Sequence, residues 1–459
     1  MLTNSLQSLD VAHHIHPITN LRRLERQGPI VIDRGQGIYV YDDEGREYIE
    51  AMAGLWSVGL GFGEQRLVDA ATKQLEKLPY YHVFSQKAHA PSALLAAKLT
   101  ELAPAGLEHV FFTNSGAEAN DSVVKFVWYY NNAIGRPEKK KFLARDGGYH
   151  GITVAAGSLT GLQTNQKGFD LPLPFVRHLS RPHFYRAGLP GETEEAFTER
   201  LLKELEDTIL AEGPETVAAF IGEPVMGAGG VLVPPKGYWA GVQEICRKYD
   251  VLVVADEVIN GFGRLGTMFG CETLGIEPDI LVCSKQITSS YQPLAAVLMK
   301  DFIYQAMADA SEKLGVFGHG YTTGAHPVST AVALENLAII EERDLVARSK
   351  ELGAYMHAGL AKFADHPHVG EIRGIGLIAA VELVADKATK AKFEPFGKVG
   401  LRFFDHAHEH GLIVRGIGDS IAFCPPMIIT EAEIDEMLRR FKATLDDITA
   451  WIAAGMPDA

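Results

Sequence analysis

The sequence is poor in cysteine and has no long apolar run. Its 459 residues include four cysteines, and none of them forms a CxxC pair. This spacing argues against a disulfide framework or a cysteine zinc site and predicts buried free thiols. No stretch reaches the roughly 18–20 apolar residues that a membrane-spanning helix needs, so no membrane partner is predicted. The cysteines are Cys246, Cys271, Cys283 and Cys424.

Basic residues are the minority among the charges, and the first residues lack a targeting pattern. The chain has 43 lysines and arginines against 58 aspartates and glutamates, a formal net charge of −15. A chain of this charge is not expected to bind nucleic acid or anionic membranes in general. The first ten residues contain no basic segment followed by an apolar run. We therefore expect no signal peptide and a cytoplasmic location.

Two apolar runs, each followed by a charged side chain, are the clearest structural signal. Val251–Ala255 has no apolar–polar alternation and ends at Asp256-Glu257. This pattern is typical of a strand that is covered on both faces of a parallel sheet. A second such strand, Ile280–Ser284, ends at Lys285. Because open α/β sheets bind ligands at the carboxyl ends of their strands, Asp256 and Lys285 are predicted to meet in one cleft.

Strands and helices alternate from about residue 109 to residue 299. This alternation predicts a mostly parallel sheet with helices on both faces. The strand candidates are Val110–Thr113, Lys141–Ala144, Val154–Ser158, Val217–Ile221, Val251–Ala255, Ile280–Ser284 and Leu294–Met299. Helices are predicted over Ala119–Ala133, Glu194–Glu212 and Tyr238–Lys248.

The two ends of the chain are predicted to form a second, smaller α+β domain. Residues 1–35 are interpreted as an extended arm with a short helix, and Ile38–Tyr41 and Glu47–Ile49 as a hairpin. After residue 327 the pattern predicts long helices and short strands. We therefore predict that residues 1–60 belong with a C-terminal small domain of residues 328–459, and that residues 61–327 form the large domain. The C-terminal helices are Val328–Glu342, Leu345–Phe363, Gly400–His410 and Glu431–Ile452, and the strands are Val369–Arg373, Gly376–Leu383, Leu412–Val414 and Ile421–Phe423.

Three clustered histidines, His13, His14 and His16, suggest a metal site in the arm. A zinc site needs three or four ligands at suitable spacing. We identify no acidic or cysteine partner at such spacing, so no metal is predicted.

The lysine and the aspartate are the groups that pyridoxal phosphate requires. A desolvated lysine such as Lys285 can attack a carbonyl and form a Schiff base. A carboxylate such as Asp256 can keep the ring nitrogen protonated, which makes the ring an electron sink. The Ser115-Gly116-Ala117 turn, placed before a helix, offers backbone N–H groups to a phosphate, and Tyr149 offers an aromatic face. Each feature alone also occurs as a solvated lysine, a helix cap or a core side chain; only their joint order and spacing are specific.

These residues lie in motifs that resemble those of class III, fold-type I pyridoxal-phosphate aminotransferases, specifically the amine:pyruvate or omega-transaminases. The resemblance covers nearly the whole chain and implies a large domain with a mostly parallel sheet of the seven-stranded type plus a smaller α+β domain. It rests on His13-His-Ile-His-Pro17, Met52-Ala-Gly-Leu-Trp56, Phe112-Thr-Asn-Ser-Gly-Ala-Glu-Ala-Asn120, Gly148-Tyr-His-Gly151, Ile221-Gly-Glu-Pro224, Gly227-Ala-Gly-Gly230, Asp256-Glu-Val258, Gly261-Phe-Gly-Arg264, Ser284-Lys285, His319-Gly-Tyr-Thr322 and Arg415.

The resemblance also implies a role for individual residues. Lys285 resembles the Schiff-base lysine that also shuttles a proton, and Asp256 the partner of the ring nitrogen. Tyr149 resembles the residue on one ring face and Val258 the residue on the other. Arg415 resembles a mobile arginine that binds the acceptor carboxylate as a bidentate pair. The further cofactor-binding residues are Ser115, Gly116, Ala117, His150, Glu223 and, from the neighbouring subunit, Thr322; the aromatic pocket walls are Trp56, Tyr81 and Phe84.

The implied activity is a ping-pong transfer of an amino group to pyruvate. The donor would be a primary amine or an omega-amino acid, such as a polyamine or a 6-aminohexanoate-like compound. A homodimer is implied, and a tetramer stays open. An aminomutase or a decarboxylase of the same fold is the alternative. A nicotinamide dehydrogenase is disfavoured because the chain lacks GxGxxG after the first strand, and a non-catalytic sensor because residues 1–35 lack a basic helix-turn-helix pattern.

Two positions depart from the pattern of the family. Ala117 stands where many members carry serine or threonine, which predicts weaker cofactor retention because one hydroxyl contact to the phosphate is missing. Gln286 follows the lysine where a glycine is often found, and the sequence does not indicate its effect on the pocket.

Overall fold

The structure is a computed structural model that describes residues 5–457. Within this range the strands are β1 (Ile32–Gln36), β2 (Tyr39–Asp42), β3 (Glu47–Glu50), β4 (Leu107–Thr113), β5 (Lys141–Arg145), β6 (Val176–Leu179), β7 (Val217–Gly222), β8 (Leu252–Asp256), β9 (Ile280–Cys283), β10 (Ala295–Lys300), β11 (Val369–Gly374), β12 (Ala379–Leu383), β13 (Leu412–Ile413), β14 (Arg415–Ile417) and β15 (Ser420–Phe423).

The helices connect these strands and cover them. They are α1 (Leu6–His13), α2 (Leu21–Gln27), α3 (Ala53–Trp56), α4 (Gln65–Lys77), α5 (Ala90–Leu102), α6 (Gly116–Ala133), α7 (Val154–Leu159), α8 (Phe184–Ala187), α9 (Glu194–Glu212), α10 (Tyr238–Lys248), α11 (Gly270–Leu274), α12 (Asp301–Leu314), α13 (Pro327–Glu342), α14 (Leu345–Ala361), α15 (Lys398–Glu409) and α16 (Glu431–Ala453). Gln163–Asn165 and Lys285–Ile287 form single 3₁₀ turns. No helix in this part of the chain is both long and apolar enough to span a bilayer.

The largest sheet has seven strands in the order β4-β10-β9-β8-β7-β5-β6. The strands β9, β8, β7, β5 and β6 are paired in parallel, and β10 runs antiparallel to both of its neighbours. The prediction of a mostly parallel sheet in an α/β fold is therefore confirmed. All residues of β7, β8 and β9 are buried, as expected for strands with helices on both faces.

Each face of this sheet contributes to a different hydrophobic core. Side chains alternate between the two faces of a strand, so Leu252 and Val254 of β8 pack in the core that contains α6 and α12. Val253 and Ala255 pack in the other core, with α10 and α13. The same alternation separates Asp256 from the residue that follows it.

Two smaller four-stranded sheets, β1-β2-β3-β13 and β11-β12-β15-β14, complete the fold. The predicted hairpin is present as β2 and β3. Its strand β3 pairs in parallel with β13 from the C-terminal part of the chain. This pairing joins the two ends of the chain, as the predicted assignment of residues 1–60 to the C-terminal domain requires; the domain boundaries themselves stay a prediction.

Some element predictions are wrong. The predicted strand Val154–Ser158 is helix α7, and its N-terminus is stabilised by Asp121, whose carboxylate accepts hydrogen bonds from the Thr153 hydroxyl and the Ala156 N–H. The edge strand β6 was not predicted because it is short and carries two polar residues in four. Helix α12 was also not predicted. The N-terminal arm contains two short helices instead of one, and residues 1–4 lie outside the described residues.

Candidate active site

A cavity of about 270 Å³ opens at the carboxyl ends of the parallel strands. Asp256 at the end of β8 and Lys285 after the adjacent strand β9 both line it. The turn between β4 and α6, the loop between β5 and α7 and the end of β7 complete its wall. The predicted site residues that line it are Ser115, Gly116, Ala117, Tyr149, His150, Glu223, Asp256, Val258 and Lys285. The topology thus brings together residues from five segments of the chain.

Asp256 is a buried carboxylate with three hydrogen-bond donors. His150 Nδ1 lies 2.8 Å and Asn120 Nδ2 2.9 Å from Asp256 Oδ2, and the N–H of Val258 donates to Oδ1 at 3.1 Å. Burial opposes ionisation, but the hydrogen bonds and the charge of His150 outweigh it, so the pKa of Asp256 lies below its ordinary value. The carboxylate is therefore negative. Asn120 was not predicted, although it lies in the Phe112–Asn120 motif; its position one turn into α6 was the available signal.

The next residue, Glu257, is a contrasting carboxylate. It is also fully buried, but it accepts hydrogen bonds from the backbone N–H groups of Gly270 (2.9 Å) and Cys271 (2.6 Å) at the start of α11. Burial raises the pKa of Glu257 to about 7. Because neighbouring strand residues point to opposite faces, Asp256 faces the cavity and Glu257 anchors a helix.

Lys285 begins the 3₁₀ turn after β9 and has a left-handed backbone with φ of +50°. Its amine makes no hydrogen bond or ion pair with any residue from 5 to 457. Burial lowers the pKa of Lys285, although the charges of Asp256 and Glu223 oppose that change. A desolvated amine with a lowered pKa is the form that attacks a carbonyl.

The start of α6 is suited to an anion. Ser115 is the N-cap residue, and its hydroxyl accepts a hydrogen bond from the N–H of Glu118 at 3.2 Å. The N–H groups of Gly116 and Ala117, which precede Glu118, have no intrahelical partner. A Cβ at Gly116 would lie only 3.2 Å from the Val258 side chain, so glycine lets the backbone approach this wall. An anion-binding helix end, an unpaired lysine and an ionised aspartate form a donor set that fits pyridoxal phosphate.

Tyr149 lines the cavity, and Arg415 lies close enough to it for the two side chains to affect each other's pKa. Both are half-buried. Burial lowers the pKa of Arg415 and the Tyr149 hydroxyl opposes this change, while Arg415 is also close enough to Lys285 to lower its pKa. Within residues 5–457 the guanidinium makes no hydrogen bond or ion pair. Arg415 is thus a cation without a partner, adjacent to the amine-bearing cavity.

His150 and Glu223 lie deeper in the wall. Glu223 is buried, and its nearest cation is Arg145, with Nη2 at 3.9 Å from Oε2. Burial raises the pKa of Glu223 to about 7. Among the described residues, the Nε2 atom of His150 has no hydrogen-bond partner. His150 lines the cavity and also contacts Asp256 through its Nδ1.

Five predicted site residues do not line this cavity: Arg415, described above, and Thr322, Tyr81, Phe84 and Trp56. Thr322 is exposed, and its carbonyl accepts a hydrogen bond from the Tyr80 hydroxyl at 2.7 Å. Tyr81 and Phe84 are 42% and 40% exposed. Trp56 is 2% exposed, and its Nε1–H has no hydrogen-bond partner among residues 5–457. Their roles in substrate or phosphate binding stay predictions.

The histidines of the arm do have an acidic partner, which corrects the sequence interpretation. Asp10 Oδ1 lies 3.0 Å from His14 Nδ1, and Asp10 Oδ2 lies 2.6 Å from His16 Nε2. The carboxylate precedes His14 by one helical turn, a spacing that places the two side chains on the same face of a helix. In this arrangement Asp10 contacts one ring nitrogen of His14 and one of His16.

The four cysteines, predicted to be buried free thiols, are all buried.

Comparison with known proteins agrees with this geometry. The family model for class III aminotransferases matches residues 22–445. The chain belongs to the class III aminotransferases. Their cofactor is pyridoxal phosphate, which the cavity fits. The prediction of an enzyme, of its cofactor and of its fold is confirmed.

The relatives carry two kinds of name, gamma-aminobutyrate transaminase and omega transaminase. Gamma aminobutyrate transaminase 1, mitochondrial, of Solanum lycopersicum is 50% identical over 418 residues, which cover 91% of this chain and 81% of that protein. The solved omega transaminase of Pseudomonas jessenii, in complex with PMP, is 58% identical with a TM-score of 0.98 and covers 98% of this chain and 100% of that chain. A thermostable omega transaminase variant engineered for enantiopure bulky amines is 58% identical with a TM-score of 0.97 and the same coverage. The substrate and the cytoplasmic location of this aminotransferase therefore stay predictions.

Proposed function

We propose that this aminotransferase moves an amino group from a primary amine or omega-amino acid to pyruvate by a ping-pong mechanism. The observation that carries the proposal is the arrangement of three ionisable side chains. The unpaired amine of Lys285 and the ionised carboxylate of Asp256 line one cavity, and the unpaired guanidinium of Arg415 lies beside Tyr149 next to it.

The cavity residues divide the chemistry between them. Pyridoxal phosphate, when bound, supplies the electron sink of the reaction. Lys285 would hold the cofactor covalently between turnovers and, once released, move the proton at the substrate carbon as a neutral amine. Asp256 would keep the ring nitrogen protonated, because its lowered pKa favours the ionised carboxylate. The N–H groups at Ser115–Ala117 would bind the phosphate, and Tyr149 and Val258 would enclose the ring.

Arg415 is proposed to select the acceptor. A guanidinium binds a carboxylate with two parallel hydrogen bonds, which suits the carboxylate of a 2-oxo acid. It has no protein partner among the described residues, so no ion pair has to break before it binds an acceptor or turns away from an uncharged donor. The relatives support an amine or an omega-amino acid as the donor, since one group is named for omega transamination and the other for gamma-aminobutyrate.

The aromatic residues are proposed as the walls of the substrate pocket. The variant engineered for bulky amines replaces one tryptophan, one phenylalanine and one arginine. These three have the same order and spacing along that chain as Trp56, Phe84 and Arg415 have here. This correspondence supports Trp56 and Phe84 as residues that limit the size of the amine.

A homodimer with shared active sites would bring the exposed residues to a cavity. Tyr80, Tyr81, Val83 and Phe84 form a run of exposed apolar residues, and Thr322 lies against it through Tyr80. An exposed apolar run of this kind suits a protein interface. We propose that this face packs on a second copy, where Thr322 would reach the phosphate of the partner's cofactor. The mass of the protein in solution distinguishes a dimer from a tetramer.

The test combines a visible spectrum with a panel of substrates. We expect the purified protein to show the visible absorbance of covalently held cofactor. It should then form alanine from pyruvate with some members of a panel containing 4-aminobutyrate, β-alanine, 6-aminohexanoate, a polyamine and an aryl-alkyl amine. Replacement of pyruvate by 2-oxoglutarate is the matched acceptor control. Release of CO₂, or a shift of the amino group without any need for pyruvate, would establish a decarboxylase or an aminomutase instead.

A further inference from the structure

Gln286, the residue after the lysine, has a buried side chain, although Lys285 itself lines the cavity. Gln286 is 1% exposed. Its Nε2 donates to the carbonyl of Gly261 at 2.9 Å, and its Oε1 accepts from Arg264 Nη2 at 3.1 Å. Both halves of the amide are therefore satisfied inside the protein, and the side chain has one fixed orientation.

Arg264 makes this contact more than a local one. It is fully buried, and burial lowers its pKa. No carboxylate pairs with it in the described part of the chain; its Nη1 donates to the carbonyls of Leu377 (2.9 Å) and Pro425 (2.7 Å). Gln286 Oε1 is the acceptor for the other terminal nitrogen. Loss of the amide would leave a buried cation with one fewer acceptor, which is costly.

The backbone of the same turn is also held. The carbonyls of Gln286 and Ile287 accept hydrogen bonds from Asn336 Nδ2 at 2.8 and 3.1 Å. The other atom of that amide, Oδ1, accepts from the Ser289 hydroxyl at 2.7 Å. The turn that begins at Lys285 is thus tied to the loop 261–264 and to α13.

Lys285 needs this support because of its backbone. Its φ of +50° lies in the left-handed region, which is unfavourable for a non-glycine residue and persists only where the surroundings impose it. Because the proposed chemistry requires a lysine at position 285, a glycine cannot relieve the backbone there. Contacts made by the next residue can instead hold the turn in this conformation. The glycine that resembling enzymes often carry there could not make the side-chain contacts.

We propose that Gln286 is a positioning residue that, together with Arg264, holds the turn so that the Lys285 amine faces the carbonyl of the cofactor. The inference rests on the proposed role of Lys285 as the covalent attachment point. The position of Gln286 is also consistent with a nearby glycine. A Cβ at position 59 would lie 2.8 Å from Gln286 Oε1, so a larger residue at Gly59 would displace the glutamine amide.

The test compares two forms of the cofactor in the same protein. Pyridoxal phosphate can bond covalently to the lysine, whereas pyridoxamine phosphate cannot. The affinity ratio of the two forms therefore isolates lysine attachment from general binding. We expect Gln286→Ala to bind pyridoxamine phosphate within about twofold of the wild type and to lose roughly tenfold in affinity for pyridoxal phosphate, the equivalent of one hydrogen-bonded contact. The pH at which the visible absorbance of the holoenzyme changes should shift as well.

A matched control separates positioning from stability. Gln243 of α10 is another buried glutamine; its Nε2 donates to the carbonyls of Trp239 and Gly275, and its Oε1 accepts from the N–H of Glu277. Gln243→Ala should lower thermal stability and leave the affinity ratio unchanged. In Gln286→Glu, which keeps an acceptor for Arg264, the ratio should recover in part.

The outcomes are distinct. If wild-type protein binds the two cofactor forms equally, the role of Lys285 fails, and the role of Gln286 fails with it. If the wild type discriminates and Gln286→Ala discriminates equally well, only the role of Gln286 fails. If Gln286→Ala weakens both forms to the same extent, its contribution is structural and the positioning role is overturned.

Discussion

The cavity and the exposed face around Thr322 differ in how their predicted site residues are held. In the cavity, Asp256 receives three hydrogen bonds and Lys285 follows the adjacent strand of one rigid sheet. At the exposed face, Phe84 packs its ring on Gly320 and remains 40% exposed. One chain thus brings Asp256 and Lys285 to the same cavity, whereas Phe84 and Thr322 still face solvent. The comparison supports the proposal that the reactive groups come from one subunit and that a second subunit would enclose the site.

The largest effect should come from Lys285. Lys285→Ala removes both the covalent attachment and the proton carrier, so we expect transamination to fall by roughly 10⁴-fold or more. Cofactor should still bind, since Asp256 and the start of α6 are unchanged. Alanine formation and the visible spectrum measure the two properties. Near-wild-type turnover in this variant would remove the cavity from the proposed mechanism.

The next largest effect should come from Asp256. Asp256→Asn removes the negative charge proposed to keep the ring nitrogen protonated, and kcat should fall by roughly 10²–10³-fold. Glu257→Gln is the matched control because its carboxylate, one residue away, contacts α11 instead of the cavity. The control should lose thermal stability and keep its cofactor spectrum. Equal losses of kcat in both variants would show that burial, and not position, determines the effect.

A smaller effect is expected at the exposed face. Thr322→Ala should weaken the binding of pyridoxal phosphate about tenfold, because a hydrogen bond to a charged group contributes about 1.5 kcal/mol or more. Thr72→Ala, at an exposed threonine of α4, is the control. Cofactor affinity is measured by titration of the apoenzyme together with its mass in solution. A monomer that binds cofactor as tightly as the wild type would refute a site shared between subunits.

The smallest effect is expected inside the cavity, at the position that departs from the family pattern. Ala117→Ser adds a hydroxyl at the phosphate-binding turn, and we expect cofactor to dissociate about fivefold more slowly, or about 1 kcal/mol. The rate of cofactor loss on dilution measures this. An unchanged rate would mean that the N–H groups of the turn already satisfy the phosphate, and that the alanine costs the enzyme nothing.

Local sequence patterns were sufficient for much of the fold. The apolar runs at β7, β8 and β9 predict buried parallel strands because helices cover both faces of such strands. Asp256 and Lys285 were predicted to meet because each follows such a strand. Besides the unpredicted helix α12, the failures are short elements: α7 has six residues and β6 has four. Their conformation is fixed by partners distant in sequence, Asp121 for the helix and β5 for the strand.

The sequence by itself was enough to predict the residues that we propose to carry the chemistry, since strand ends, a helix start and the family motifs can be recognised along the chain. Only the tertiary structure decided that Asp256 is the ionised carboxylate and Glu257 the helix anchor, because strand alternation sends adjacent side chains into different surroundings. It also decided that Gln286 meets Arg264. The physical reason is that a buried polar group takes its properties from its hydrogen-bond partners, and those partners come together only when the chain folds.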